Sequence, residues 1–209
     1  MIEAVVSDFG GVLTVPLLGA FERVQKRIDV PPEAYGEAMA HCLRRDGVHP
    51  LFALERGEIS ESEFLTRLER GLEETAGITV SLNGFGARLM DALEPNHELF
   101  DHYRELRRER GLRFALCTNN VREWEPLWRS KLPIDELFEV VVDSAFVGTR
   151  KPEPEIYAIT LERLGLPAAA CAFVDDVELN IEAAHEAGMH GVVFRDTARV
   201  IAELASLLS

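Results

Sequence analysis

Five short apolar runs, rich in valine and other branched residues, constrain the fold of this chain most strongly. They lie at 3–8, 113–118, 138–144, 171–176 and 191–195. Runs of this length and composition are typical of strands buried on both faces. Helical patterns accompany the later runs, at 96–110, 153–164, 178–187 and 197–208. Because strands and helices alternate in this way, we predict an α/β fold in which helices cover both faces of a parallel sheet.

The segment between the first two runs is far longer than one crossover helix requires. It contains helical patterns at 17–28, 33–45, 60–75 and 84–93, and Ser60 followed by Glu63 resembles a capping box at the start of the third. One interpretation is an insertion of surface helices. We favour a helical cap at 16–91 over a core at 1–15 and 92–209, because a lid beside the first strand would exclude water from a site there.

The charge balance narrows the range of partners. A formal net charge of −14 at pH 7 disfavours nucleic acid and anionic membrane surfaces. Three cysteines, Cys42, Cys117 and Cys171, lack paired spacing, which suits free thiols in a reducing cytoplasm. No signal-peptide pattern opens the sequence, and no apolar segment approaches the roughly 18 residues of a membrane span. We expect a cytoplasmic monomer or homodimer that acts on a small molecule, with no nucleic-acid or membrane partner.

Polar side chains stand at or just after several predicted strand ends. Taken singly, each has a structural explanation: a turn, a helix cap or an exposed lysine. Parallel-sheet enzymes, however, bind ligands at the carboxyl ends of their strands. The joint occurrence of these residues therefore predicts a pocket at that edge, lined by Asp8, Thr118, Asn119, Lys151, Asp175 and Asp176.

The order of these motifs resembles that of a known superfamily. Asp-x-Gly at 8–10, Thr-Asn at 118–119, Lys-Pro at 151–152 and Asp-Asp-x-x-x-Asn at 175–180 are similar to the four motifs of the haloacid dehalogenase superfamily. The stretch LERGEISESEFLTRL at 54–68 resembles the cap of the branch that contains the soluble epoxide hydrolase phosphatase domain. The resemblance covers nearly the whole chain and implies a doubly wound, Rossmann-like sheet with its first strand central.

The resemblance also implies a phosphatase whose nucleophile is Asp8, forming an aspartyl phosphate. A carboxylate that approaches a phosphate dianion needs cations nearby, and Mg²⁺ prefers oxygen ligands. By analogy with the family, the ligands of the Mg²⁺ ion are Asp8, the Gly10 carbonyl and Asp176, and Asp175 orients these ligands without binding the ion itself. The aspartate doublet alone does not decide which of its members binds the ion directly.

The remaining motif residues would handle the phosphoryl group. By the same resemblance, Thr118 and the backbone N–H of Asn119 hold phosphoryl oxygens, and Lys151 is a fixed positive charge between Asp8 and the phosphate. Asn180 orients either the metal site or Lys151. Five further residues have two interpretations each, as contacts to substrate or as ordinary core or helix-surface positions: Arg44, Arg45, His49, Arg56 and Trp124.

Gly10 departs from the pattern of the family's phosphatases. Most carry an aspartate at this position, which protonates the leaving oxygen and then activates water. Its absence leaves three outcomes: a leaving group that needs little protonation, such as an anomeric sugar phosphate; a substitute acid from the cap or the substrate; or a slow or inert protein.

We predict a Mg²⁺-dependent phosphatase of a small phosphorylated metabolite. One alternative is a 2-haloacid dehalogenase, in which Asp8 attacks carbon without a metal; the acidic pair at 175–176 argues against it, because it would repel a carboxylate substrate. Another is a catalytically weak phosphate-binding or regulatory protein, an alternative that Gly10 motivates.

Overall fold

The computed structural model describes residues 1–28 and 30–209, and these residues contain one parallel sheet of five strands. Across the sheet the order is β3-β2-β1-β4-β5, so the first strand is central. The predicted α/β, doubly wound fold is confirmed, and the strand bounds differ from the predicted ones by no more than two residues. They are β1 (Ala4–Ser7), β2 (Arg113–Thr118), β3 (Val140–Asp143), β4 (Cys171–Asp175) and β5 (His190–Val193).

Helices fill the segment between β1 and β2, as predicted. The described residues there form α1 (Leu17–Ile28), α2 (Pro32–Asp46), α3 (Pro50–Glu55), α4 (Glu61–Ala76) and α5 (Phe85–Ala92). The sequence patterns do not predict α3, because six residues are too few to display a helical period. At the start of α4, the Glu63 N–H donates to Ser60 Oγ over 3.1 Å. The Glu63 carboxylate accepts from Arg67 instead of completing a capping box.

The remaining helices flank the sheet. They are α6 (His97–Arg110), α7 (Glu125–Arg129), α8 (Ile134–Leu137), α9 (Ser144–Val147), α10 (Pro154–Leu164), α11 (Glu178–Glu186) and α12 (Thr197–Leu207). The four longer ones, α6, α10, α11 and α12, match the predicted patterns. The short helices α7, α8 and α9 were not predicted, for the same reason as α3.

Each face of the sheet is covered by its own apolar cluster. Val5 and Val174 belong to the larger cluster, which continues into the helices inserted after β1. Val6 and Phe173 belong to the smaller one, where Tyr157 of α10 packs against them. Since successive side chains of a strand point to opposite faces, an unbroken apolar run serves both clusters.

Hydrogen bonds join the two ends of the inserted segment. The Val15 N–H donates to the Glu94 carbonyl over 2.9 Å, and the Asn96 N–H donates to the Leu13 carbonyl over 2.8 Å. We propose that this pairing closes the neck between a core domain and a cap, with the domain bounds predicted above.

The cysteines and the helices match the expectations drawn from composition. Cys42, Cys117 and Cys171 are buried and free, and the last two pack as small apolar side chains in the smaller cluster. Within residues 1–28 and 30–209, no helix combines the length and the apolar character that crossing a membrane requires.

Candidate active site

Asp8, the first residue after the central strand, is the centre of the site. Its N–H donates to the Val174 carbonyl over 2.8 Å, and Ser7 Oγ donates to the Asp8 carbonyl over 2.8 Å. Asp8 is 8% exposed. The neighbouring strands β2 and β4 end beside it, at Thr118 and Asp175. The carboxyl ends of three parallel strands therefore lie side by side at Asp8, Thr118 and Asp175.

Lys151 places a buried positive charge between two carboxylates. Its Nζ lies 2.8 Å from Asp8 Oδ1 and 2.6 Å from Asp175 Oδ2, and its side chain is 1% exposed. Burial alone would lower the pKa of Lys151, but Asp175 and Asp8 raise it above its ordinary value. Lys151 is therefore a fixed cation beside Asp8.

The side chain of Asn119 holds the backbone of Lys151. Asn119 Oδ1 accepts from the Lys151 N–H over 2.7 Å, and Asn119 Nδ2 donates to the Lys151 carbonyl over 3.0 Å. These bonds tie the backbone at Lys151 to the residue that follows β2. The sequence does not reveal this role, because the two residues are 32 positions apart and the resemblance assigns only the Asn119 backbone N–H.

Asp175 is fully buried, and both of its oxygens have partners. Oδ1 accepts from the Val177 N–H over 2.8 Å and from Asn180 Nδ2 over 3.0 Å, while Oδ2 accepts from Lys151 Nζ. The Tyr157 hydroxyl donates to the Asn180 carbonyl over 2.9 Å. Asn180 thus contacts Asp175, the carboxylate that pairs with Lys151.

Asp176 is half-buried, and its carboxylate lies against Gly11. A Cβ at Gly11 would overlap that carboxylate, and the φ of +87° there also favours glycine. Among the described residues, no other residue donates a hydrogen bond to the Asp176 carboxylate or forms an ion pair with it, so its oxygens are more open to a ligand than those of Asp175. Sequence analysis gave Gly11 no role, and its only signal was the second glycine of the Gly-Gly pair.

Asp8, Asp175 and Asp176 form an acidic cluster around one lysine. A ligand atom of each lies within 4.8 Å of the others. Burial raises the pKa of Asp8 to about 7; Lys151 lowers it, whereas Asp175 and Asp176 raise it further. Burial and Asp175 also raise the pKa of Asp176. A divalent cation with oxygen ligands would relieve this repulsion, so the donor set fits Mg²⁺.

A cavity of about 390 Å³ lies between the residues that follow β1 and the inserted helices. At the sheet, Gly10, Thr118 and Asn119 border it. No heavy atom lies within 4 Å of the place that a Cβ at Gly10 would take. Elsewhere its walls are mostly apolar and come from both sides, and they include Phe21, Met39, Phe64, Phe85, Val121 and Trp124.

Four residues of the inserted helices that were considered from sequence as substrate contacts, Arg44, Arg45, His49 and Arg56, lie elsewhere. Arg56 pairs with Glu153 of the core, and Arg45 pairs with Asp46 over 2.7 Å. His49 packs on Phe52, with ring centroids 4.5 Å apart. Arg44 is exposed on α2. The described cavity wall includes none of these four residues, whereas Trp124 is both buried and part of the wall.

The comparison with protein families decides the classification. The model of the haloacid dehalogenase-like hydrolases matches residues 2–188. The chain belongs to this family. Phosphatase MT3486 of Mycobacterium tuberculosis is 30% identical over 99% of this hydrolase and 95% of its own length. Mouse acyl-CoA dehydrogenase family member 10 is 29% identical over 99% of the chain, and rat bifunctional epoxide hydrolase 2 is 24% identical over 94%. The hydrolase spans only 19% and 37% of those two proteins.

Solved structures of the family share the fold. A haloacid dehalogenase-like (HAD-like) family hydrolase from Porphyromonas gingivalis has a TM-score of 0.75 and 25% identity, covering 100% of this hydrolase and 98% of that chain. The HAD family enzyme BT-2542 from Bacteroides thetaiotaomicron, in complex with magnesium and inorganic phosphate, has a TM-score of 0.66 and 22% identity. It covers 93% of this hydrolase and 95% of that chain, a likeness of fold alone.

Proposed function

We propose that this hydrolase is a Mg²⁺-dependent phosphatase that transfers the phosphoryl group to Asp8 and then to water. The arrangement of Asp8, Lys151 and Asp176 carries this proposal: a nucleophile held by a fixed cation, next to a carboxylate with no other described partner. Relatives that are named phosphatases, such as MT3486, support a phosphate ester as substrate.

The positions of the chain's own groups account for orientation and charge. Lys151 holds Asp8 Oδ1 in place and puts a positive charge beside the phosphoryl oxygens. Thr118 and the Asn119 N–H, at the end of β2, would bind further phosphoryl oxygens. Lys151 Nζ also donates to Asp175, and Asn180 in turn donates to Asp175, so the ammonium group stays between the two carboxylates.

Asp8, the Gly10 carbonyl and Asp176 would hold Mg²⁺. The bound ion offsets the repulsion between the attacking carboxylate and the phosphate dianion. Asp175 is the poorer candidate for direct binding, because Lys151, Val177 and Asn180 already occupy its oxygens.

The cavity favours an apolar alcohol as the leaving group. A sugar has a hydroxyl on nearly every carbon, and each would lose water on entering a wall built from Phe21, Met39, Phe64 and Phe85. An alkyl or aryl group would instead gain from burial there. We therefore propose a phosphate monoester with an apolar body, in preference to the anomeric sugar phosphate considered from the sequence.

The same cluster weighs against the dehalogenase alternative. A 2-haloacid substrate carries its own carboxylate, which would join those of Asp8, Asp175 and Asp176 and bring four negative charges around Lys151. Halide release from 2-chloropropionate in the presence of EDTA would favour that alternative. Binding of beryllofluoride with Mg²⁺, without turnover of any ester, would favour a regulatory protein.

Phosphate release over a panel of monoesters is the test of this proposal. With Mg²⁺, we expect turnover, with apolar esters such as 2-phenylethyl phosphate preferred over glucose 1-phosphate in kcat/KM. With EDTA, turnover should be lost and should return when Mg²⁺ is added in excess. Equal turnover with and without the metal would contradict the proposal.

Gly11→Ala is expected to weaken Mg²⁺ binding. The new Cβ would displace the Asp176 carboxylate, and the positive φ would add strain of about 1–2 kcal/mol. Gly47→Ala is the matched control, since Gly47 has φ +74° and no heavy atom within 4 Å of the added Cβ. Both variants should lose similar stability in urea unfolding, while titration calorimetry should show weaker Mg²⁺ binding for Gly11→Ala alone. Equal Mg²⁺ affinity in the two variants would count against Asp176 as a ligand.

A further inference from the structure

Hydrolysis of an alkyl phosphate needs a proton at the leaving oxygen, since an alkoxide is a poor leaving group. The core residues that border the cavity beside Asp8 do not supply one. Gly10 has no side chain, and Thr118, Asn119 and Asn120 are neutral groups that do not titrate near neutral pH. Lys151 is held as a cation by two carboxylates.

Glu55 is the one ionisable side chain among the described residues that border the cavity. It is the last residue of α3 and so comes from the inserted helices, opposite the end of β1. Its side chain is 15% exposed. A titratable carboxyl group therefore faces the same space as Gly10 and Thr118.

An arginine holds Glu55 at one oxygen only. Arg150 Nε donates to Glu55 Oε2 over 2.5 Å, and the Arg150 guanidinium is itself fixed over the Phe52 ring at 4.0 Å. In the part of the chain that the structure describes, Glu55 Oε1 accepts no hydrogen bond. One oxygen thus positions the carboxyl group, and the other is left for proton transfer.

The environment of Glu55 allows it to carry a proton. Burial raises the pKa of Glu55 above its ordinary value, although Arg150, Lys151 and Arg56 act to lower it. A general acid works best when its pKa approaches the working pH, so the direction of this shift suits the task.

We propose that Glu55 donates the proton to the leaving oxygen and then accepts the proton of the attacking water. In the first step, Asp8 attacks phosphorus, the ester P–O bond breaks, and the Glu55 carboxylic acid protonates the departing oxygen. In the second step, the oxygen of a water molecule attacks phosphorus, and the Glu55 carboxylate takes a proton from that water. The Asp8–phosphorus bond breaks, phosphate leaves, and Glu55 is again protonated. This role rests on the phosphatase function proposed above.

Glu55→Gln tests this role, since the amide keeps an oxygen for Arg150 and cannot transfer the proton. For 2-phenylethyl phosphate, kcat/KM should fall by about 10²–10⁴-fold. For 4-nitrophenyl phosphate, whose phenolate leaves without a proton, kcat/KM should be nearly unchanged. The water step should slow for both esters, so nitrophenol should appear as a burst of one equivalent per enzyme, followed by a slow phase.

A second variant supplies the proton from the core. Gly10→Asp in the Glu55→Gln background adds a carboxyl group to open space, at a backbone conformation outside the positive-φ region. We expect it to restore part of the kcat/KM for 2-phenylethyl phosphate. Arg56→Lys is the matched control: it keeps the positive charge that acts on Glu55 and loses the forked contact of the guanidinium with Glu153, the neighbouring ion pair between the inserted helices and the core. It should affect the two esters equally.

The outcomes separate this role from the proposed function. Equal losses of kcat/KM for the two esters in Glu55→Gln, or no loss for either, would overturn the proton-transfer role while the phosphatase function stands. An ester-selective loss in Arg56→Lys, which keeps the charge near Glu55, would also overturn it, since the packing of the inserted helices on the core would then explain the effect. Failure of the unmodified hydrolase to release phosphate from either ester with Mg²⁺ would overturn the phosphatase function, and this role with it.

Discussion

Asp8→Asn is expected to lower phosphate release by at least about 10⁴-fold, the scale on which loss of a nucleophile acts. The amide has nearly the same shape as the carboxylate and keeps an oxygen for Lys151, which lies 2.8 Å from Asp8 Oδ1. It lacks the negative charge and the nucleophilic oxygen that attack phosphorus. Measurement of kcat/KM for 4-nitrophenyl phosphate with Mg²⁺ checks this, and an Asp8→Asn variant as active as the unmodified hydrolase would contradict it.

The same substitution should stabilise the metal-free hydrolase at high pH. Because burial raises the pKa of Asp8 from 3.8 to about 7, folding favours its protonated form. The stability contributed by that form is fully present below pH about 4 and is lost as the pH rises through about 7. Asparagine stays neutral throughout, so in EDTA at pH 8 the variant should melt at the higher temperature, with the difference vanishing near pH 4.

Asp46→Asn is the control, and its expected change in melting temperature at pH 8 has the opposite sign. The hydrogen bond from Arg45 holds the pKa of Asp46 below its ordinary value, so its charge contributes stability above pH about 4. This control should melt slightly lower than the unmodified hydrolase at pH 8. A lower melting temperature for Asp8→Asn as well, in EDTA at pH 8, would show that its pairing with Lys151 outweighs its burial.

Lys151→Met is expected to destabilise the hydrolase by about 3–5 kcal/mol and to abolish turnover. Removing one partner of a buried ion pair leaves the other charge buried without compensation, and here both Asp8 and Asp175 lose their cation. Methionine is close to lysine in size, so the loss of charge dominates. Urea unfolding in EDTA gives the change in the free energy of unfolding, and 4-nitrophenyl phosphate hydrolysis gives the activity.

Two further variants isolate the electrostatic cause of this loss. Lys131→Met makes the same change at a half-buried lysine with no ion pair to the described residues, and it should stay within about 0.5 kcal/mol of the unmodified hydrolase. Asp175→Asn in the Lys151→Met background removes one stranded charge and should recover part of the stability. A loss in Lys151→Met no larger than in Lys131→Met would contradict a buried ionic centre.

The fold was largely predictable because its signals are local. A strand buried on both faces, such as β1 or β4, is a run of apolar residues that needs no alternation to be recognised, and α4 and α6 are long enough to show a helical period. The four short helices escaped prediction because four to six residues carry no such period.

The candidate site was predictable where it lies at strand ends. Asp8 follows β1, and Thr118 and Asp175 end the two strands beside it, β2 and β4. Parallel strands bring their carboxyl ends to one edge of the sheet. The contacts between distant loops were not predictable. Glu55 meets Arg150 across 95 residues of sequence, and only the packing of the inserted helices on the core brings them together.

A phosphoryl group on Asp8 is the central claim, and trapping it is the most direct test. We would mix the hydrolase with 4-nitrophenyl phosphate and Mg²⁺, quench with acid within the first turnover, reduce with borohydride, and sequence the peptides by mass spectrometry. Reduction of an aspartyl phosphate should change the mass of Asp8, and Asp8→Asn and substrate-free samples should show no change. Rapid turnover with Asp8 unmodified, or with the phosphoryl group on another residue, would contradict the claim.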